Sequence, residues 1–190
     1  MNSKCKLLLT FLTIPCLYVQ ADTSVEVEKS CTTYELYDVG PGGGYVFYIK
    51  PDSEGCHGLE AAPEDQSSEA WGCLGTDINN TSPTIGAGSA NTDAILERCS
   101  TRPTAASVAR SYTGGGFNDW FLPSVGEYKE MYTVLHKVSE PKGNFSTTAS
   151  YWSSTQSDFS FAWNWNFLLG TQYNDNFKRG TLKVRAARAF

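Results

Sequence analysis

The chain has 190 residues, with 15 basic and 20 acidic side chains and a formal charge of −5. That acidic balance argues against nucleic acid as a partner, since affinity there depends on cations that neutralise phosphates. The length suits one domain with room for a proper core.

Residues 1–21 read as a secretory leader. Lys4 and Lys6 give the basic start, and Leu7 to Ile14 the short apolar run. Val19 and Ala21 supply the small residues that signal peptidase needs. The apolar run falls well short of the roughly 20 residues of a membrane span, so no transmembrane segment is expected. Cys16 raises lipid attachment, but Pro15 stands where a lipoprotein signal wants a small residue. Plain export, to the medium or the cell surface, is the reading. Removing the leader takes two lysines and no acids, leaving 13 basic against 20 acidic side chains, or −7.

Cys31, Cys56, Cys73 and Cys99 remain, an even set that in an exported chain suggests disulfides. The reading pairs Cys56 with Cys73 and Cys31 with Cys99. One bridge with two buried thiols is the alternative.

Residues 22–36 form a polar lead-in without a clear period, expected to be flexible, and residues 37–190 form the domain. Gly42 to Gly44 open into Tyr45–Ile49, a β-branched and aromatic run that reads as a buried strand ended by Pro51. From Asp52 to Gly88 the chain is rich in turn formers, which predicts long loops held by disulfides. Asn91 reads as a helix cap before Ala94, Ile95 and Leu96, and Pro103 opens a second helical stretch stopped by Gly114 to Gly116. Ser124 and Glu127 form a capping box. Tyr128, Met131, Tyr132 and Leu135 follow at the spacing of one buried helix face. Three strands are expected after that: Tyr151–Ser154, Phe161–Phe167 and Thr181–Phe190. The class is α+β: two or three helices on short antiparallel strands, with long loops.

Several motifs are more specific. Gly40-Pro41-Gly42-Gly43-Gly44 before Val46-Phe47-Tyr48, His57-Gly58-Leu59-Glu60-Ala61-Ala62-Pro63 and Trp71-Gly72-Cys73 come first. Ile85-Gly86-Ala87-Gly88 with Asn91-Thr92 and Asp119-Trp120-Phe121-Leu122-Pro123-Ser124 follow, then Tyr151-Trp152-Ser153-Ser154 and Val184-Arg185-Ala186-Ala187-Arg188-Ala189-Phe190. In this order they resemble the C-terminal domain family of the bacterial collagen-like adhesin Lcl. The resemblance implies a C-type-lectin-like fold, akin to the formylglycine-generating enzyme, with paired chain ends and binding loops. It also implies export, adhesion through sulfated polysaccharides and trimer formation. The chain departs from that family in lacking a Gly-X-Y repeat, and Arg110 sits near where relatives place a cysteine.

The segment Leu169 to Arg179 is the leading binding-site candidate. Tyr173, Asn174, Asp175 and Asn176 offer directional hydrogen bonds and aromatic area, and Lys178 and Arg179 can meet sulfate or carboxylate. Trp163, Asn164, Trp165 and Asn166 join them as ligand contacts, with Trp165 expected at the head of a loop. A polar hairpin turn is the plainer reading. Trp120 and Trp152 could stack on sugars but read more naturally as core. Five basic residues after Phe161 (Lys178, Arg179, Lys183, Arg185, Arg188) stand against Asp175 alone, either as a patch for an anionic ligand or as an internally paired strand.

No cofactor is expected. Asn118-Asp119 and Asn174-Asp175-Asn176 offer hard oxygens for calcium, without an Asp-x-Asp-x-Asp-Gly loop. His57 and His136 lack zinc partners at useful spacing and read as structural. No nucleophile elbow, P-loop or triad is present, so an enzyme is not expected. Two carboxylates such as Glu60 and Asp119 could form a glycosidase pair, but nothing in the sequence requires it.

The resulting expectation is a secreted or surface-displayed binding domain for a glycan or extracellular polymer, contacted through the C-terminal loops, with a homo-oligomer left open. The alternative is a protein-recognition or structural module of the cell envelope or an appendage, binding a protein receptor. Glycan binding predicts an exposed aromatic beside amides, with Trp165 and Tyr173 as its main support, and, for sulfated polymers, a continuous basic patch with strong salt dependence. Protein recognition requires an apolar patch with the basic residues paired away.

Overall fold

The computed structural model of the chain describes residues 32–51 and 53–190. The leader, Cys16, Cys31 and most of the 22–36 lead-in lie outside the described residues.

The strands are β1 (Tyr45–Ile49), β2 (Gly58–Ala61), β3 (Gln66–Ala70), β4 (Ser150–Gln156), β5 (Phe161–Asn166), β6 (Thr171–Phe177), β7 (Thr181–Val184) and β8 (Ala187–Ala189). The helices are α1 (Gly88–Arg98), α2 (Ala105–Ser111) and α3 (Val125–Met131), the last continued by a π-helical turn, Tyr132–His136. The α+β expectation therefore holds, with three helices. A three-stranded antiparallel sheet runs β1-β2-β8, so the C-terminal strand joins β1 through β2. A five-stranded sheet runs β3-β7-β4-β5-β6, antiparallel except where β7 lies parallel to β4.

The larger sheet is covered on both faces. Trp152, Ala162 and Val184 pack on one side with Ile95 of α1, Ala105, Ala106 and Ala109 of α2, and Trp71 and Trp120. Tyr151 and Trp165 pack on the other with Tyr128 and Met131 of α3, Leu135, and Phe47 of β1. Alternation along β4 sends Trp152 to one core and Tyr151 to the other, which is why Tyr151 to Thr155 are all buried. Trp120 and Trp152 are completely buried, their indole N–H groups donating to Gly114 O and Glu69 O, so neither stacks on a sugar.

The α3 cap forms as expected. Ser124 Oγ accepts from Glu127 N, and Glu127 Oε2 accepts from Ser124 N at 2.7 Å. The same carboxylate accepts from Gly86 N and Gly88 N, pinning the start of α1 to α3. Asn91 is no cap: α1 begins three residues earlier, after Ala87. Its buried side chain bridges loops instead, accepting from Ser82 N and donating to Ser82 O and Ser154 Oγ.

Three strands were missing from the sequence reading. β2 and β3 lie inside the expected long loops, and β6 occupies the segment expected to be a binding loop. The expected single strand Thr181–Phe190 is two strands in different sheets. The chain bends at Arg185, whose buried guanidinium turns onto Asp65 and the carbonyls of Ala62, Gly143 and Asn144.

The cysteine pairing is also corrected. Cys73 bonds Cys99, with Cα atoms 5.4 Å apart. The expected Cys56–Cys73 and Cys31–Cys99 pairs are thereby excluded, and Cys56 is separately disulfide-bonded. Spacing misled because the bridge ties the loop before α1 to that helix's end, a contact set by tertiary packing.

Candidate functional site

The candidate ligand residues fall on the β5–β6 ribbon, at the free edge of the larger sheet. β5 carries aromatic residues at every second position and is sandwiched between the two cores; among the described residues β6 has no neighbour beyond it. The ribbon turns at Phe167 to Gly170, where Asn166 Oδ1 accepts from Leu169 N at 2.8 Å. Gly170 has φ +64°, and a Cβ there would collide with the Tyr132 hydroxyl.

The ribbon separates the candidates. Asn164 is fully buried, with Nδ2 donating to Tyr173 O at 3.2 Å. Trp165, expected at the head of a loop, is only 5% exposed and packs on Tyr132. Asn164 Oδ1 and Trp165 Nε1 are buried without a hydrogen-bond partner. Trp163 and Asn166 are half-buried, and Asn166 Nδ2 holds Ser150 Oγ at 3.0 Å. Tyr173, Asn174 and Asp175 are exposed and Asn176 half-buried on β6.

Lys178 is fully buried. Its ammonium lies 4.6 Å from the centroid of the Trp71 ring and donates to Thr76 O and Gln156 Oε1 at 3.0 and 2.9 Å. Burial pulls its pKa down to about 8. It is a strut, not a ligand contact. Asn164 and Trp165 are removed from the contact surface on the same ground.

The other basic residues are mostly paired inside the fold. Lys183 and Arg185 share Asp65, and Arg188 bridges Glu60 and Asp119. Of the five C-terminal cations only Arg179 is exposed, with its guanidinium over the Phe177 ring. The cluster is therefore the internally paired form, not a continuous patch. Arg188 also stands between the Glu60 and Asp119 carboxylates, and Glu60 is saturated by Gly42 N, Gly44 N and Arg188.

Asn174, Asp175 and Asn176 lie along an extended strand, so their side chains do not converge on one point as a calcium site would require. Among the described residues no three His, Cys, Asp or Glu side chains gather as a metal site. His57 Nδ1 meets Phe190 O at 3.3 Å. His136 packs against Phe167, and burial lowers its pKa.

An apolar cluster at the far end of the ribbon went unread in the sequence. Phe161 and Phe177 stack across the strands with centroids 4.5 Å apart. Gly75 N donates to Phe159 O at 2.8 Å, which places the turn carrying Leu74 at this end of the ribbon. Phe159, Leu74 and Phe177 are 60%, 50% and 49% exposed. Only tertiary structure brings Leu74 to the same end of the ribbon as these phenylalanines; the visible signal was three Phe residues bracketing β5 and β6.

No family model matches the chain, and no curated protein matches it. Among solved structures it is similar to a fimbrial protein from Bacteroides ovatus, with a TM-score of 0.50 and 14% identity. The likeness covers 80% of this chain and 45% of that one, so this chain spans less than half of that protein's length. At that identity the shared feature is the fold. No helix of the described residues is long and apolar enough to cross a membrane.

Proposed function

We propose that this chain is an exported, surface-displayed recognition module, not an enzyme, and that it binds a protein partner through the aromatic end of the β5–β6 ribbon. One observation carries this reading. Of the C-terminal cations that a polyanion would need, all but Arg179 are buried or paired, while Leu74, Phe159 and Phe177 are left exposed at one end of the ribbon. A dehydrated apolar centre with a polar rim is the usual anatomy of a protein contact. The leader motif, the resemblance to the Lcl C-terminal family and the fold likeness to a fimbrial protein all support an extracellular setting.

The glycan reading keeps one specific support. Tyr173 is 38% exposed on β6 beside Asn174 and Asn176, an aromatic flanked by amides.

The test is binding of residues 22–190 to arrayed extracellular-matrix proteins and arrayed neutral and sulfated glycans, at low and physiological salt. Protein binding that persists at physiological salt and is lost in Phe159→Ser/Phe177→Ser supports the proposal. Binding to glycans that survives this double substitution and disappears in Tyr173→Ala overturns it.

A further inference from the structure

The described chain contains six arginines, and four are fully engaged. Arg185 and Arg188 are paired inside the fold, and Arg110 pairs with Asp93. Arg102 caps the end of α1, donating to Leu96 O, Cys99 O and Thr101 O. Because Arg102 satisfies those carbonyls, Arg98 in the last turn of α1 is not needed there. Among the described residues the Arg98 side chain makes no hydrogen bond or ion pair, and the Arg179 guanidinium has only the Phe177 ring.

Both residues line the same cavity, about 380 Å³ in volume, beside the Cys73–Cys99 bridge. Thr76, Ser100 and Thr101 also line it, with hydroxyls that bond no protein group, and no Asp or Glu does. Lys178 forms part of the wall, but its ammonium is committed to Thr76 O, Gln156 Oε1 and the Trp71 ring. Leu74 belongs both to this wall and to the apolar cluster. Free planar donors and hydroxyls in a cavity without a carboxylate make a receptor for an oxyanion.

We propose that the cavity takes one carboxylate of an acidic peptide segment, whose apolar neighbours lie on Leu74, Phe159 and Phe177. This rests on the protein-recognition reading and names the chemistry of the partner. A peptide fits better than a sulfated polysaccharide for two reasons. Arg179 covers the Phe177 face on which a sugar would stack. Asp77 and Asp158 stand near Lys178, so a chain bearing many anions would meet repulsion just past the first one.

The experiment uses the intact chain and fluorescent heptapeptides with a central Glu flanked by Phe and Leu, each paired with its Gln counterpart, and dextran sulfate as the rival ligand. The Glu peptides should bind about tenfold or more tightly than the Gln peptides at low salt, a charge-assisted bidentate contact being worth that much. Arg98→Gln/Arg179→Gln should erase the difference; both side chains are exposed, so folding is unaffected. Equal binding of Glu and Gln peptides, or no binding of either, overturns the pocket. If the equal binding is still lost in Phe159→Ser/Phe177→Ser, the protein-recognition reading stands without the pocket. Dextran sulfate held through the two arginines in place of the peptides overturns the choice of partner.

Discussion

Arg188 Nη1 donates to Glu60 Oε1 at 3.0 Å, joining the last strand to a carboxylate with no exposed surface. The same carboxylate accepts from Gly42 N and Gly44 N, and a Cβ at Gly42 would strike both it and the Trp120 ring. The glycine run before β1 is therefore a cradle for Glu60. The Arg188 guanidinium, sitting over Phe117 at 3.5 Å, closes the far side.

Removing Glu60 should be among the most damaging single changes. Glu60→Ala leaves the Arg188 guanidinium with Asp119 alone and strands two buried N–H groups, a loss of about 3 kcal/mol by urea unfolding. Adding Arg188→Met should recover only part of that loss, because Gly42 and Gly44 stay unpaired. Full recovery in the double variant would show that the pair, not the cradle, matters.

Lys178 gives a pH signature. Its native pKa of about 8 lies below the ordinary lysine value of 10.5. Protonation is disfavoured in the fold, so its contribution is present above the unfolded pKa and is lost as pH falls from 10.5 to 8. Wild type should therefore gain stability relative to Lys178→Met as pH is raised from 8 toward 10, and the difference should be flat between pH 6 and 7. Tyrosine ionisation is common to both proteins and cancels. A difference that does not change with pH would remove the buried-ammonium account.

Glu127 runs the other way, toward acid. Burial raises its carboxyl pKa although Ser124, Gly86 and Gly88 donate to it. A raised acid contributes stability that is complete below the unfolded pKa and is lost as pH rises through the folded one. Wild type should lose ground to Glu127→Gln as pH rises above 4.5 in thermal or urea unfolding. Ser124→Ala, which removes the other half of the box, should cost about 1 kcal/mol at any of these pH values.

How much of this was legible depends on where each element's stability comes from. β1, β4, β5 and α3 carry their own signals: β-branched and aromatic runs, a capping box, and an apolar face at helical spacing. β3 and β6 read Gln-Ser-Ser-Glu-Ala and Thr-Gln-Tyr-Asn-Asp-Asn-Phe, sequences whose local preference is for turns. They become strands only because β7 and β5 offer them a ladder. β2 is buried at all four positions and so shows no alternation. The site suffered likewise: Lys178 looks like a surface cation until Trp71, over 100 residues earlier, is brought beneath it. Arg98 acquires meaning only beside Arg179.

The Cys73–Cys99 bridge is open to direct chemical test. Proteolysis without reduction should yield a peptide pair joining these two residues and none joining Cys56 to Cys73. Cys73→Ala/Cys99→Ala should lower stability by roughly 3 kcal/mol, the chain-entropy value for a separation of this size; the separation is 26 residues. A Cys56–Cys73 product would refute the arrangement around α1.

The free edge of the larger sheet gives the last prediction. β6 is seven residues long, exposed on nearly every side chain, and has no Pro or Lys. Such an edge is a template for another strand unless something blunts it. Two features do. The register against β5 advances three residues on β6, from Tyr173 to Asn176, for two on β5, which places a bulge at Asn174 and Asp175. Asp175 is also the one charge on the strand. Asp175→Val should leave the monomer folded, since the side chain is exposed, yet raise self-association at high concentration. Light scattering would detect it, and excess wild type should coassemble poorly because its own Asp175 must be desolvated at the joint. Deleting Asn174 together with Asp175→Val, which removes the bulge as well, should push assembly further. The opposite edge serves as the control: β3 is short, bulged and overlain by α2, so charge removal at Glu69 should produce no comparable association. If Asp175→Val stays monomeric at concentrations where fibres or dimers form readily for unprotected edges, then the bulge alone protects β6, and the charge has no such role.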